Sequence, residues 1–133
     1  MILLDTTFLI DLLKERKNAV DKAVELVVRD SLATTNINIY ELLIGIFSIK
    51  DIDYGEKLRD AEKLFDRLNV LNLDRLSAIK AAKIGGELMQ KGQMIGDTDN
   101  IIAGIAIANK IDIIITRDKE HFSRVKGIKA EGY

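Results

Sequence analysis

The sequence predicts a three-layer α/β/α domain on a mainly parallel sheet of four to five short strands, and three observations carry that expectation. Short apolar, often β-branched runs alternate with longer stretches of helical periodicity, as βαβ units do. The opening run, Met1-Ile-Leu-Leu4, is apolar at successive positions, as a strand covered on both faces must be. From Ile101 to Ala108 every residue is Ile, Ala or Gly. A helix with that composition is apolar on all sides and belongs in the interior, among other elements.

In order, the first strand ends at Asp5, and Thr6 or Thr7 is a candidate cap for a helix carrying Phe8, Leu9, Leu12 and Leu13. A second helix fits Val20 to Val28, with Val20, Ala23, Val24 and Val27 expected on its inner face. Leu32 to Thr35 is a second strand, and Asn36 or Asn38 opens a helix striped by Ile39, Leu42, Leu43 and Ile46. Leu58, Ala61, Leu64, Phe65 and Leu68 mark the inner face of the next helix. Asn69 to Leu73 is a third strand, followed by a helix over Ser77 to Gln90 with Ala78, Ala81, Ala82, Gly85 and Leu88 inward. After the Ile101–Ala108 helix, Ile111 to Thr116 is the clearest strand, dense in β-branched residues, and Ile128 to Ala130 is a short closing one. No repeat or linker interrupts the 133 residues, so one domain over 1–133 is expected.

Composition narrows the function classes. The chain has no cysteine and no proline, which excludes a disulfide framework and a thiolate metal site and points to a reducing cytoplasm. No apolar stretch approaches the roughly 18 residues of a membrane span. Lys and Arg number 20 against 21 Asp and Glu. That balance neither demands nor excludes a nucleic-acid partner, because acids gathered in one site mask basic residues elsewhere.

The acids are placed with a pattern. In parallel α/β folds ligands gather outside the carboxyl ends of the strands. Asp5 follows the first strand, Glu41 lies early in the helix after the second, Asp99 opens the buried helix, and Asp118 follows the strand after it. Carboxylates converging on one place repel one another unless a cation intervenes. Oxygen ligands with a single histidine in the chain favour Mg²⁺ or Mn²⁺ over zinc or copper. Such a centre suits phosphodiester hydrolysis, although acid clusters at strand ends also serve phosphoryl-transfer enzymes and signalling domains.

Leu4-Asp5-Thr6-Thr7, Tyr40-Glu41-Leu-Leu-Ile-Gly45, Asp99-Asn-Ile-Ile-Ala103 and Thr116-Arg-Asp118-Lys-Glu-His-Phe122, in that order, resemble the PIN-domain pattern. More narrowly, the whole chain is similar to the VapC toxins of VapBC toxin–antitoxin pairs. The resemblance implies a PIN-like α/β/α fold and a Mg²⁺- or Mn²⁺-dependent endoribonuclease acting on RNA. It further implies a homodimer or antitoxin-bound hetero-oligomer, silenced by a VapB-like antitoxin that lays a helix and tail over the site. It maps catalysis and metal binding, partly through water, onto Asp5, Glu41, Asp99 and Asp118. The expected antitoxin groove lies between the Thr7–Arg16 helix and the helices at Glu41–Ile49 and Glu56–Leu68.

Other residues carry two readings each. Asp97 is an auxiliary metal ligand, a group behind the ligands, or a helix cap, the cap being preferred. Thr7 and Thr116 place hydroxyls where such sites hold an acid or a water, and strand-end capping is the plainer alternative. Arg117 and Lys119 adjoin Asp118 in a stretch, Lys110–Lys129, with six basic residues against three acids. They are candidate RNA phosphate contacts, or simply solvated charge. His121 is read as a partly exposed structural residue and Phe122 as core. Two competing functions remain. A haloacid-dehalogenase-like phosphatase built on Asp5 would want an acid where Thr7 stands. A receiver-like or catalytically silent PIN module would bind a partner without cleaving anything.

Overall fold

The computed structural model describes residues 1–133. Five strands, β1 (Ile2–Leu4), β2 (Leu32–Thr35), β3 (Asn69–Leu71), β4 (Ile113–Ile115) and β5 (Lys129–Glu131), form one sheet in the order β3-β2-β1-β4-β5. All neighbours are parallel, with Leu3 opposite Ala33 on one side and Ile114 on the other. The helices are α1 (Thr6–Leu13), α2 (Lys17–Arg29), α3 (Asn36–Phe47), α4 (Gly55–Phe65), α5 (Arg75–Gln90), α6 (Asp97–Ala108) and α7 (Lys119–Ser123). None is long and apolar enough to cross a membrane.

The alternation of side chains along a strand divides the core in two. Leu3, Ala33 and Ile114 face Leu88, Ile102, Ala103, Ala106 and Phe122 of α5, α6 and α7. Ile2, Leu4 and Ile115 face Phe8, Leu9, Leu26, Leu42 and Ala61 of α1 to α4. β1 lies between these layers and is buried at every position, which explains its unbroken apolar run. α6 is buried from Ile102 through Ala106. Gly104 is where α5 crosses it, and a β-carbon there would stand 2.6 Å from both the Ala81 β-carbon and its backbone nitrogen.

This strand order places the topological switch between β1 and β4. The chain winds outward from β1 through β2 to β3, then returns to the other side of β1. A crevice opens at that point, beyond the carboxyl ends of the two strands.

Local expectations are revised or sharpened at three helices. On α2 the buried residues are Ala19 and Leu26, whereas Val20, Val24, Val27 and Val28 are exposed. Two apolar stripes share that helix, and the slimmer one fits against α1 while the valines face outward. α3 opens at Asn36, as expected, and the residue that caps it is Thr35. Its hydroxyl accepts from the Asn38 backbone N–H while the Asn38 side chain accepts from the Thr35 N–H, a reciprocal capping box. The short α7 was not anticipated; Asp118 caps it by accepting from the His121 backbone N–H at 3.4 Å.

Candidate active site

Asp5 stands at the switch point, where its backbone leaves β1 and turns into α1. Its side chain is 5% exposed and is held from three elements. Thr116, just past β4, donates to Oδ2 at 2.7 Å; Thr7, in the first turn of α1, donates to the same oxygen at 3.1 Å. The Asn38 amide donates to Oδ1 at 3.2 Å. Burial pushes the Asp5 carboxyl up, the hydrogen bonds from Thr116, Thr6 and Thr7 work against it, and the Glu41 charge adds to the rise.

Glu41 reaches across from α3. Thr6 donates to its Oε1 at 2.7 Å, and Thr98 on α6 donates to its Oε2 at 3.3 Å. Asn38 also donates to the Thr6 hydroxyl at 3.0 Å, so one amide supports both acids. Asp99, in the first turn of α6, is pushed up to about 6, first by burial and then by the charges of Asp5, Asp118 and Glu41. Asp5, Asp118 and Glu41 are therefore each close enough to repel Asp99. The β4–α7 turn is held by the Asp118 backbone N–H donating to Thr116 Oγ1 at 2.9 Å and the Arg117 N–H donating to Thr7 Oγ1 at 3.0 Å.

His121 also comes into this group. Its Nδ1 lies 2.6 Å from Asp118 Oδ2 and 3.5 Å from Asp99 Oδ2. One atom from each of the three side chains falls within 4.8 Å of the others, a spacing that fits a single cation. Mutually repelling carboxylates, oxygen-rich lining and a nitrogen at the mouth together fit a divalent ion.

The other candidates are placed differently. Asp97 is the first residue of α6, but the cap is Gly96, and the Asp97 side chain makes no capping hydrogen bond. It complements the helix macrodipole and borders a separate cavity with Asn100, Met89 and Met94. Lys119 is exposed, its chain lying alongside Gly132. The Arg117 guanidinium turns onto α1 and pairs with Asp11, a carboxylate 2% exposed that also accepts from the Tyr133 hydroxyl at 2.7 Å and faces Arg16 Nε at 3.1 Å. Burial raises Asp11, but hydrogen bonds from Arg117 and Tyr133 and the two arginine charges hold it below the usual range. Asp11→Ala, which leaves these partners unmatched, is expected to lower stability by about 1–3 kcal/mol in urea unfolding.

Sequence reasoning gives Thr6 as a helix cap, Asn38 as a helix opener and His121 as a partly exposed structural residue, and so misses their place at the acids. The Thr35-x-x-Asn38 capping pattern was a readable signal for Asn38, and adjacency to Asp5 for Thr6.

The model of the family described as PIN domain matches residues 2–128. Among curated relatives, the tRNA(fMet)-specific endonuclease VapC of Salmonella typhimurium is 29% identical over 106 residues, 74% of this chain and 80% of that protein. Ribonuclease VapC1 of Haemophilus influenzae is 29% identical over 128 residues, 96% of this chain and 93% of that protein. Among solved structures, VapBC2 of Rickettsia felis bound to a DNA fragment from their promoter matches with a TM-score of 0.88 at 23% identity, covering 100% of this chain and 99% of that one. At that identity the likeness speaks for the fold.

Proposed function

The chain belongs to the PIN-domain family, and from that premise we propose that it is a metal-dependent endoribonuclease, the toxin of a VapBC-type pair, working as one domain in the cytoplasm. The observation that carries this reading is the gathering of Asp5, Glu41, Asp99 and Asp118 at the switch point, with Asp99 pushed up to about 6 by burial and then by its acidic neighbours. The curated relatives named VapC ribonucleases support RNA as the substrate.

Asp5, Asp99, Asp118 and Glu41 would hold Mg²⁺ or Mn²⁺, some of them through water. When bound, the ion supplies an activated water and stabilises charge on the phosphate and the leaving oxygen. The remaining work belongs to the chain. Thr116 and Thr7 fix the Asp5 carboxylate by its Oδ2, while Thr6 and Thr98 fix Glu41, so the acids are oriented before substrate arrives. Arg117, whose side chain remains 62% exposed beside Asp11, and Lys119 flank Asp118 and contact phosphates on either side of the cleaved bond. Asp97 stands outside this set and acts through the field at the α6 N-terminus.

The antitoxin occupies the groove between α1, α3 and α4, which Ile10, Leu13, Leu42, Ile46 and Ile49 line. Structural neighbours that are VapBC complexes support such a partner. A second copy of the chain covers the outer face of α5, where Leu76, Ile79 and Met89 are exposed.

The test is cleavage of an end-labelled structured RNA pool with Mg²⁺, Mn²⁺ or EDTA, beside Asp99→Asn purified identically. Discrete cuts that need metal and vanish in the variant are expected. Equal cutting by both proteins, or none with any metal, refutes the nuclease reading and returns weight to a silent binding module. In the same assay Asp97→Asn is expected to slow cleavage only a few-fold, and a loss as complete as that of Asp99→Asn would make Asp97 a ligand.

A further inference from the structure

We propose that His121 is itself a ligand of the ion, giving the site a nitrogen donor and a preference for Mn²⁺ over Mg²⁺. The inference rests on the metal-dependent reading above and adds to it a residue outside the acidic quartet.

Three features of His121 point this way. It sits in the first turn-and-a-half of α7, a helix capped by Asp118, so its ring and the Asp118 carboxylate are carried by one rigid turn. Nδ1, the ring atom nearer the backbone, is the one aimed at the acids, 2.6 Å from Asp118 Oδ2 and 3.5 Å from Asp99 Oδ2. That nitrogen is shielded from solvent and, for all its short approach to Asp118, makes no hydrogen bond. A buried polar atom of this kind calls for a partner. A cation bonded in common to Nδ1, Asp118 and Asp99 satisfies the nitrogen and relieves the repulsion between the two acids at once. The opposite edge of the ring stays open to solvent, the side chain being 41% exposed, so the imidazole can take up the ion without rearranging the core.

The nitrogen alters which ion is favoured. Mg²⁺ prefers oxygen donors and gives up its waters reluctantly, so an imidazole adds little for it. First-row ions bond imidazole more strongly, in the order that begins at Mn²⁺ and rises towards Cu²⁺. With oxygen donors from Asp99 and Asp118 and no thiolate in the chain, Mn²⁺ is the ion this mixed set suits among those expected for phosphodiester hydrolysis.

The single histidine makes the test direct. Untagged full-length protein, freed of metal, is titrated with Mn²⁺ and examined by electron spin echo envelope modulation for coupling between the manganese electron spin and a ¹⁴N nucleus. Expected is an imidazole ¹⁴N modulation that changes to the ¹⁵N pattern when only histidine is labelled, and disappears in His121→Gln. By calorimetry His121→Gln is expected to weaken Mn²⁺ binding about tenfold or more, with Mg²⁺ affinity altered by no more than about twofold. Mn²⁺ bound at the acids, released by Asp99→Asn, with no nitrogen coupling would overturn the role of His121 and leave the metal reading standing. No Mn²⁺ binding at all would overturn both. The wild-type spectrum decides the matter even if His121→Gln folds poorly.

Discussion

Asp99→Asn is expected to abolish metal-dependent RNA cleavage and to make the metal-free protein more stable above pH 6. Both effects come from one carboxylate. Cleavage should fall by at least about a hundredfold to a thousandfold, because the amide keeps the shape but not the charge that, on the proposed mechanism, would hold the ion and so stabilise the transition state. The stability gain follows from the burial of that charge and then from repulsion. In the fold Asp99 is pushed up to about 6 from an ordinary 3.8, by burial and then by Asp5, Asp118 and Glu41. The unfolded chain releases that proton near pH 4, whereas the folded one keeps it to about pH 6. Ionising Asp99 in the fold therefore costs nothing below pH 4, and the full cost applies above pH 6. After allowance for solvent screening this is about 1–2 kcal/mol, or roughly 3–8 °C in Tm.

Thermal melts of the metal-free protein should accordingly fall between pH 4 and pH 6, and that slope should flatten in Asp99→Asn. At lower pH the slope reverses for a separate reason. Arg29 hydrogen-bonds Glu131 and, with Lys129, holds it down at about 2 from 4.5, so its contribution is present above pH 4.5 and is lost as pH falls towards 2. Saturating Mn²⁺ should remove the decline above pH 4 in wild type and do little to Asp99→Asn. A variant no more stable than wild type at pH 7, metal absent, would mean that the acids do not confront one another.

Gly104→Ala carries the second large effect, on folding rather than chemistry. The added β-carbon would stand 2.6 Å from the Ala81 β-carbon and backbone nitrogen, well inside contact distance, and neither neighbour is a flexible side-chain end. α5 and α6 must separate, and the packing of Ile102, Ala103 and Ala106 on the sheet goes with them. The expected cost is about 3 kcal/mol, at the upper end of the usual range for overpacking, read as a lowered midpoint in urea. A midpoint unchanged within error would show that the two helices are not held at this distance. Because Asp99 rides on α6, cleavage should also fall in whatever folded fraction remains, whereas a small residue exchange at exposed Gly86, with open space around it, should do neither.

The parts of the site that could be read from the chain are those that depend on position along it. Asp5, Asp99 and Asp118 adjoin the end of a strand or the start of a helix, and a parallel sheet sends all such ends to one edge, whereas Glu41, expected early in its helix, lies midway along α3 and reaches the edge from there. The unbroken apolar runs at Met1–Leu4 and Ile101–Ala108 announce burial on every side; Ile2–Leu4 and Ile102–Ala106 are buried, whereas Met1 is exposed and Ile101, Ile107 and Ala108 are half-buried. Residues whose role depends on which face meets which neighbour were harder. The α2 valines have core-like spacing, but Ala19 and Leu26 offer a second face, and only packing against α1 selects between them. Arg117 lies beside Asp118 in sequence, yet its guanidinium pairs with Asp11, a residue more than a hundred positions earlier, brought near because β4 lies next to β1.

The alternating α/β order, the burial of β1 and of the middle of α6 on every side, and the arrival of Asp5, Asp99 and Asp118 at the carboxyl edge are legible in the chain, because they follow from periodicity and from the ends of elements. That Thr116, Thr7 and Asn38 grip Asp5, that Thr6 and Thr98 bridge to Glu41, and that His121 turns its Nδ1 between Asp118 and Asp99 emerges only once the elements pack together. The physical reason is that a hydrogen bond or a shared ion needs positions matched to within a fraction of an ångström between elements distant in the chain. That matching is set by how α1, α3, α6 and α7 pack on the sheet.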